Sequence, residues 1–261
     1  MTAVEFAVSS HVGLVRDENQ DAVGNFPSDV LDDSGDLGVL FVVADGMGGH
    51  KGGKEASRIA VEVVGDTYFS DEGGSIAERL RTACKSAHAA IREYGDSHPQ
   101  CKGMGTTLTA LVLQNGTGYI AHVGDSRAYR LAEGEVVQLT EDHSIVAEWR
   151  RKGWITEEQA RLHPERSLLY RALGVGEEVS VDVIENIVVH EGDSFLLCTD
   201  GLSNHLEKDE IQDLLLEGPP EDACRKMVSL ALERGGYDNI TVQIMRYGTR
   251  EGTPPPPQAG A

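Results

Sequence analysis

The sequence predicts an α+β fold in which β-sheets and helices lie in separate layers. Apolar or alternating runs predict strands at 4–9, 38–44, 107–113, 118–123, 127–131, 135–139, 179–189, 194–199 and 240–246. Helical periodicity is strongest in two groups of segments, within 53–94 and within 208–234. Elements grouped in this way favour a layered sandwich over alternating βαβ units.

The helices are predicted from their apolar faces and their terminal residues. Residues 53–69 and a segment from about Ser75 to Tyr94 each place small and branched apolar side chains on one face. Two further helices are predicted at 208–216 and 221–234, the second opened by Pro220 and closed by Gly235; a flap of two short helices is predicted at 144–173, with Thr156 capping the second.

Two other segments have distinctive local patterns. The stretch GYIAHVGDSRAYRL predicts a hairpin with Gly124 and Asp125 at its turn. The stretch GTREGTPPPPQAGA, residues 248–261, cannot pack a core and predicts a disordered tail. Residues 1–247 are therefore expected to form a single domain.

Composition excludes several classes of function. The 261 residues carry 23 Lys and Arg against 43 Asp and Glu, a net charge of −20, which disfavours nucleic acid and anionic membranes as partners. The four cysteines form no CxxC pair, so free thiols in a reducing compartment are expected. The sequence shows no signal peptide and no apolar run long enough for a membrane helix, so we expect a cytoplasmic protein.

The stretch FVVADGMGGHKGGKEAS, residues 41–57, admits two interpretations. Residues 48–54 fit the pattern G-x-x-x-x-G-K of a phosphate-binding loop, but Glu55 stands where that loop needs Ser or Thr to ligate magnesium. The alternative is a metal site in which Asp45 is a ligand and the Gly46 carbonyl turns inward as another. A tight turn that needs glycine at positive φ is compatible with this second interpretation.

Aspartates recur at the ends of apolar runs. A single such residue is usually a turn residue or a helix cap, but here the pattern occurs at Asp21, Asp45, Asp125, Asp200 and Asp238. Carboxylates gathered at one end of a sheet repel one another unless cations neutralise them. The set therefore predicts a multi-metal site with oxygen ligands, whereas the nine histidines are scattered along the chain.

A carboxylate site of this kind suits phosphate chemistry. Two cations roughly 3.5–4 Å apart can hold a bridging hydroxide for in-line attack on phosphorus. Arg16 is a candidate for orienting the phosphate, because its planar fork matches paired phosphate oxygens; an ion pair with Asp17 or Glu18 is the alternative.

Eight motifs in order resemble the metal-dependent protein phosphatases of the 2C type, and bacterial serine/threonine members in particular. They are VRDENQDA, VVADGMGG, GMGTTLTALVL, HVGDSRAYRL, LTEDHS, RSLLYRALG, LLCTDGLSN and DNITV, within about residues 5–246. The resemblance implies a central β-sandwich of two antiparallel sheets flanked by helices on both sides. It also implies hydrolysis of phosphoserine and phosphothreonine with Mn²⁺ or Mg²⁺, and phosphorylated proteins with a cognate kinase as signalling partners.

The resemblance also assigns roles to the site residues. Asp45 would bridge two ions and Gly46 would offer its carbonyl, while Asp200 and Asp238 would complete one shell. A third ion would lie near Asp125, with Ser167 as a weak further ligand. Arg16 would bind the substrate phosphate, and residues 144–167 would form the flap beside it.

Three departures from the family pattern affect these assignments. Met47 replaces a histidine that serves as general acid in animal members, and it cannot donate a proton. Gln20 replaces an acid, so Asp21 would act through waters, and Asn204 stands where some relatives have a third-ion aspartate. The alternatives to an enzyme of this type are a catalytically silent, phosphatase-like docking module and a P-loop nucleotide hydrolase.

Overall fold

The centre of the fold is a pair of antiparallel β-sheets. The structure is a computed structural model that describes residues 3–27, 33, 35–70 and 73–248. Among these residues the strands are β1 (Ala3–His11), β2 (Asp21–Phe26), β3 (Val39–Met47), β4 (Gly105–Thr106), β5 (Leu108–Gln114), β6 (Thr117–Val123), β7 (Arg127–Ala132), β8 (Glu135–Gln138), β9 (Asp182–Val188), β10 (Ser194–Cys198) and β11 (Ile240–Gly248). The first sheet has the order β1-β11-β10-β7-β8, and the second has the order β2-β3-β5-β6-β9 with β4 paired to β3.

The helices lie outside the two sheets. Among the described residues they are α1 (Gly49–Ser70), α2 (Ile76–Ser97), α3 (Ile145–Arg151), α4 (Glu157–Leu162), α5 (Asp200–Ser203), α6 (Lys208–Leu216) and α7 (Pro220–Glu233), with a 3₁₀ turn at Pro99–Cys101. Of these, α1 and α2 cover the second sheet, and α6 and α7 cover the first. The α2 helix begins at a capping box in which Ser75 and Glu78 satisfy each other's backbone N–H groups. The predicted helices at 53–69, 75–94, 208–216 and 221–234 correspond to α1, α2, α6 and α7.

Three apolar clusters account for the layers. One lies between the second sheet and α1 and α2, and includes Tyr68 and Leu80. Another lies between the first sheet and α6 and α7, and includes Ile211 and Met227. The third, around Phe41 and Phe195, lies between the two sheets. The arrangement is the predicted αββα sandwich, in which each sheet buries both of its faces.

The predicted hairpin at Gly124 and Asp125 is wrong. Strand β6 pairs with β5 and β9 in the second sheet, whereas β7 pairs with β10 and β8 in the first. The intervening turn, with Gly124 at φ 110°, therefore carries the chain from one sheet to the other. The sequence shows two strands and a glycine turn but does not show which strands they pair with.

The P-loop interpretation is also wrong. The glycine-rich residues from Gly49 to Lys54 form the first turns of α1 rather than a loop that cradles phosphate. Gly48, immediately before the helix, has φ 124°, which matches the expected need for glycine at positive φ.

The flap has the two short helices that the sequence predicts. Thr156 caps α4 in a capping box with Gln159, and Ser144 caps α3. A bridge between Ser144 and Leu169 closes the base of the flap. The predicted disordered tail falls almost entirely outside the described residues, although Gly248, assigned to it, ends β11.

The cysteines and the hydropathy of the helices agree with the sequence analysis. All four cysteines are free and buried, Cys198 within β10. No helix in the described part of the chain is long and apolar enough to cross a membrane.

Candidate active site

Asp21 and Asp45 lie opposite each other on neighbouring strands of the second sheet. They are Cα partners in the register of β2 with β3. The Thr199 hydroxyl donates a hydrogen bond to Asp21 Oδ2 at 2.9 Å. The backbone of Asp45 is held from the other side, because its N–H donates to Thr107 Oγ1 at 2.9 Å and its carbonyl accepts from Thr106 Oγ1 at 2.8 Å. Strand pairing and hydroxyl contacts thus hold the Asp21 carboxylate and the backbone of Asp45 in place.

The other three aspartates come from loops and a helix start at the same end of the sandwich. Asp200 is the first residue of α5, Asp125 lies between β6 and β7, and Asp238 precedes β11. Asn204 Nδ2 donates to Asp200 Oδ2 at 3.1 Å. The structure therefore brings together all five aspartates that the sequence predicts for the site.

The aspartates of this cluster repel one another electrostatically. Desolvation, and then repulsion by neighbours, raises the pKa of Asp21 to about 7 and raises the pKa of Asp45 well above its usual range. Desolvation followed by repulsion from Asp200 raises the pKa of Asp125, and desolvation followed by repulsion from Asp238 raises that of Asp200. These four residues are half-buried, but protein surrounds their carboxylates closely enough for desolvation to be the largest effect on each pKa.

The donor set fits divalent cations. Asp21 Oδ1 and Asp200 Oδ1 are buried and accept no hydrogen bond from the protein. Buried oxygens without a partner, on carboxylates that repel one another, are stabilised by a hard cation such as Mg²⁺ or Mn²⁺. Within the described residues no three His, Cys, Asp or Glu side chains converge into a ready-made ligand shell. Carbonyl oxygens and waters are further ligands that hard cations accept.

Gly46 is required at its position by close packing. A Cβ there would lie 2.0 Å from the Gly53 carbonyl oxygen of α1 and 2.7 Å from the Gln20 carbonyl oxygen. The glycine lets the start of α1 approach β3 directly beside Asp45. Its role as a carbonyl ligand stays a prediction.

Arg16 pairs with Asp238, not with Asp17 or Glu18. Its Nε donates to Asp238 Oδ1 at 2.9 Å, and its Nη2 donates to Oδ2 at 2.7 Å. Asp200 and Asp45 also act on it and, after Asp238, raise its pKa. The guanidinium therefore lies beside the aspartate cluster, where a phosphate oxygen could replace a carboxylate oxygen.

A cleft of about 650 Å³ opens over the site between the flap and α5 and α6. Asp125, Asp200, Asp238 and Arg16 line its inner end. Ser167, the weak third-ion candidate, also lines this cleft and is exposed on the flap. The structure thus places Ser167 on the same cleft as Asp125, and ligation by it stays a prediction.

Several supporting residues were missed by the sequence analysis. Hydroxyls of Thr241 and Thr199 lower the pKa of Asp21, against the larger effect of desolvation. The Asn239 side chain accepts from Gln20 N at 2.8 Å and donates to the Val12 and Glu18 carbonyls, which ties the Arg16 loop to β11. The sequence feature that could have pointed to such supporting residues is a polar residue within an apolar strand, as with the threonines of GTTLTALVL and DNITV.

The family can be identified from comparison with known proteins. A family model for protein phosphatase 2C matches residues 15–218 of the chain. The chain belongs to the protein phosphatase 2C family. The match includes all of the predicted site residues except Asp238, which lies beyond its end.

This family member resembles bacterial serine/threonine phosphatases. It is 35% identical over 241 residues to the serine/threonine protein phosphatase PstP of Mycobacterium tuberculosis, a match that covers 92% of this chain and 44% of that relative. The chain thus spans less than half the length of PstP. It is 37% identical over 238 residues to the serine/threonine phosphatase stp of Listeria welshimeri, which covers 89% of this chain and 92% of the relative.

A solved structure supports the fold of the family member. The catalytic domain of the serine/threonine protein phosphatase PstP, described in complex with two manganese ions, superposes with a TM-score of 0.81 at 32% identity. The superposition covers 95% of this chain and 100% of that domain. The αββα arrangement is therefore shared with a phosphatase domain.

Proposed function

We propose that the chain is a metal-dependent serine/threonine protein phosphatase. The observation that carries the proposal is the cluster of Asp21, Asp45, Asp125 and Asp200, whose raised pKa values and unpartnered oxygens suit divalent cations. Membership of the protein phosphatase 2C family supports the same activity. Hydrolysis of a phosphate monoester is the reaction that such a site suits best.

The metal assignment is the one that the family resemblance implies. Asp45, Asp200 and Asp238, with the Gly46 carbonyl, would hold two Mn²⁺ or Mg²⁺ ions, and Asp125 would hold a third together with Ser167. When bound, the ions supply positive charge that stabilises the phosphoryl group and lowers the pKa of water. Asp21 would act through waters, as the replacement of the neighbouring family acid by Gln20 implies.

The chain's own side chains bind and orient the phosphate ester. Arg16 presents Nε and Nη2 together, a fork that matches two phosphate oxygens. Met47 has no proton to give, so the leaving alkoxide oxygen must take its proton from solvent. Residues of the flap and of the start of α5 line the cleft that the phosphorylated segment would enter.

Phosphorylated proteins are the substrates that this reaction implies. We propose that they include the targets of a cognate serine/threonine kinase and that the chain acts in signalling. Four free, buried thiols in the described part of the chain fit a reducing compartment, for which we propose the cytoplasm.

The test is hydrolysis of a phosphothreonine peptide and of an aryl phosphate as Mn²⁺ is titrated. We expect both to turn over only with the ion, and Asp45→Asn and Asp200→Asn each to reduce turnover by at least a hundredfold. The matched control is Asp66→Asn, on the exposed surface of α1, which should keep wild-type turnover. Unchanged turnover in the Asp45 variant would contradict the proposal. Peptide binding without any turnover would instead support the docking module.

A further inference from the structure

Positive side chains are concentrated along the cleft. Although the chain has 23 Lys and Arg against 43 Asp and Glu, seven of its cations line this one cleft: Arg16, Arg127, Arg150, Arg161, Arg166, Lys208 and Arg234. Nearly a third of all cationic residues therefore face a single opening of a strongly acidic protein.

Once metal ions are bound, the carboxylates of the cleft do not neutralise all seven of its cations. Three of the six that line it, Asp125, Asp200 and Asp238, are candidate ion ligands, so bound cations would neutralise them. The other three each face one arginine: Arg127 pairs with Asp142, Arg150 with Glu157, and Arg161 with Glu207. Outside the cleft, Glu210 pairs with Arg234.

Three cations of the cleft remain after these pairs are assigned: Arg16, which is the candidate for binding the substrate phosphate, and two others, Arg166 and Lys208. Among the described residues, no carboxylate lies within ion-pair distance of Arg166 or Lys208, and both side chains are exposed. Arg166 lies on the flap beside Ser167, after α4, whereas Lys208 is the first residue of α6. A positive charge at a helix N-terminus is unfavourable for the helix itself, so Lys208 does not stabilise α6.

The two residues belong to opposite walls that are already in contact. The ion pair of Arg161 with Glu207 joins α4 of the flap to the residue that caps α6. Arg166 follows α4 within a turn in which its N–H donates to the His163 carbonyl. The unpaired Arg166 and Lys208 thus lie near the Arg161–Glu207 ion pair in sequence, and both line the cleft that Arg16 also lines.

We propose that Arg166 and Lys208 bind a second anionic group on the phosphorylated segment, so that the enzyme prefers substrates with a carboxylate or another phosphate near the phosphoresidue. The inference rests on the proposed function. The net charge of −20 repels an acidic segment from the rest of the surface, so unpaired cations in the cleft provide the local attraction. Exposed charges contribute modestly, which favours selection among substrates over high affinity.

The experiment compares phosphothreonine peptides that differ only in their flanking charges. One has neutral flanks, one has glutamates two to four residues away on either side, and one has a second phosphoserine there. The variants are Arg166→Gln, Lys208→Gln and the double variant, and Lys85→Gln on the exposed face of α2 is the control. The readout is the ratio of kcat/KM for each charged peptide to that for the neutral one.

We expect the wild type and Lys85→Gln to favour the acidic peptide about fivefold at low salt. Each single variant should reduce this ratio about twofold, and the double variant should bring it close to one. The preference should fade as salt approaches roughly 0.5 M, because both cations are exposed to solvent. A larger preference for the second phosphate than for glutamate would identify phosphate as the source of the second charge.

Three results would overturn the inference. The first is a wild-type ratio near one for both charged peptides, and the second is a double variant that keeps the wild-type ratio. Charge reversal by Arg166→Glu should bring the ratio close to one, and an unchanged ratio in that variant is the third. Absence of turnover with every peptide and with an aryl phosphate would instead contradict the proposed function, so the two failures are distinguishable.

Discussion

Arg16 and Asp238 are joined by two hydrogen bonds, from Nε to Oδ1 at 2.9 Å and from Nη2 to Oδ2 at 2.7 Å. The candidate phosphate-binding side chain is thus held by a candidate ion ligand. Because the two side chains are 56% and 36% exposed, the pair is only modestly stabilising and can be exchanged. Binding of ions and phosphate would replace this contact with an Asp238–cation contact and an Arg16–phosphate contact.

Substitution of Arg16 separates these two roles. We expect Arg16→Ala to raise KM for an aryl phosphate about tenfold, since a bidentate phosphate contact is lost. The same change should tighten Mn²⁺ binding by up to about threefold, because Asp238 no longer has a competing partner. Isothermal titration with Mn²⁺ and steady-state kinetics measure the two effects. Arg81→Ala, which breaks another exposed ion pair, is the control and should change neither.

Asp21 gives the metal-free protein a distinctive pH dependence. Its folded-state pKa of about 7 lies above the unfolded value of about 3.9, so its contribution to stability is present at low pH and is lost as pH rises through 7. Asp21→Asn removes this loss. The stability advantage of the metal-free variant over the metal-free wild type should therefore grow between pH 5 and pH 8.

Thermal unfolding with a chelator, at several pH values, measures this difference. Burial also lowers the pKa of His122 to about 4, so the contribution of His122 to stability rises with pH, opposite to that of Asp21. Variant and wild type share His122, so its contribution cancels in the difference between them. Added Mn²⁺ should shrink the advantage of the variant at pH 8. An advantage that is the same at both ends of the pH range would show that Asp21 is not held at a raised pKa.

His143 fixes the turn that carries Asp125. Gly124 N donates to its Nδ1 at 3.0 Å, and its own N–H donates to the Gly124 carbonyl at 2.7 Å. We expect His143→Ala to leave the buried Gly124 N–H unsatisfied and to cost about 1–3 kcal/mol of stability. It should also lower the affinity for the proposed third Mn²⁺ ion, the one assigned to Asp125. The control is His190→Ala, at an exposed histidine, which should change neither stability nor Mn²⁺ affinity. Denaturant unfolding and Mn²⁺ titration test both effects.

Gly46 tests the packing around Asp45. A Cβ at Gly46 would meet the Gly53 carbonyl oxygen at 2.0 Å, so Gly46→Ala should destabilise the protein by about 2 kcal/mol or more as α1 is pushed from β3. Gly218→Ala, where a Cβ would meet nothing within 4 Å, should change stability by less than about 1 kcal/mol. Equal effects in denaturant unfolding would contradict this account of the glycine.

The sequence predicts most elements because burial leaves a periodic pattern. Long apolar strands such as β3 and β5, and helices with one apolar face, were located within a few residues. Strand β2 was missed because its residues, DAVGNF, show no alternation of buried and exposed positions: all six are half-buried. They also include Gly24, which packs closely against Val61 and Phe26. The β6–β7 hairpin was wrong because strand pairing between sheets is a long-range property that a local turn does not record.

The aspartates of the candidate site were predictable from the sequence, but their contacts were not. Five aspartates at strand ends are visible in the sequence, and the structure gathers them at one end of the sandwich. The pairing of Arg16 with Asp238 spans 222 positions and cannot be predicted from neighbouring residues. The same applies to the bond from Thr199 to Asp21, which spans 178.

The most direct test of the central claim is anomalous diffraction from crystals grown with Mn²⁺. The account predicts at least two manganese peaks among the carboxylates of Asp45, Asp200 and Asp238, with Arg16 released from Asp238. Crystals of Asp45→Asn grown in the same way should show weaker or fewer peaks. Wild-type crystals that show no manganese between these side chains, with Arg16 still paired to Asp238, would contradict it.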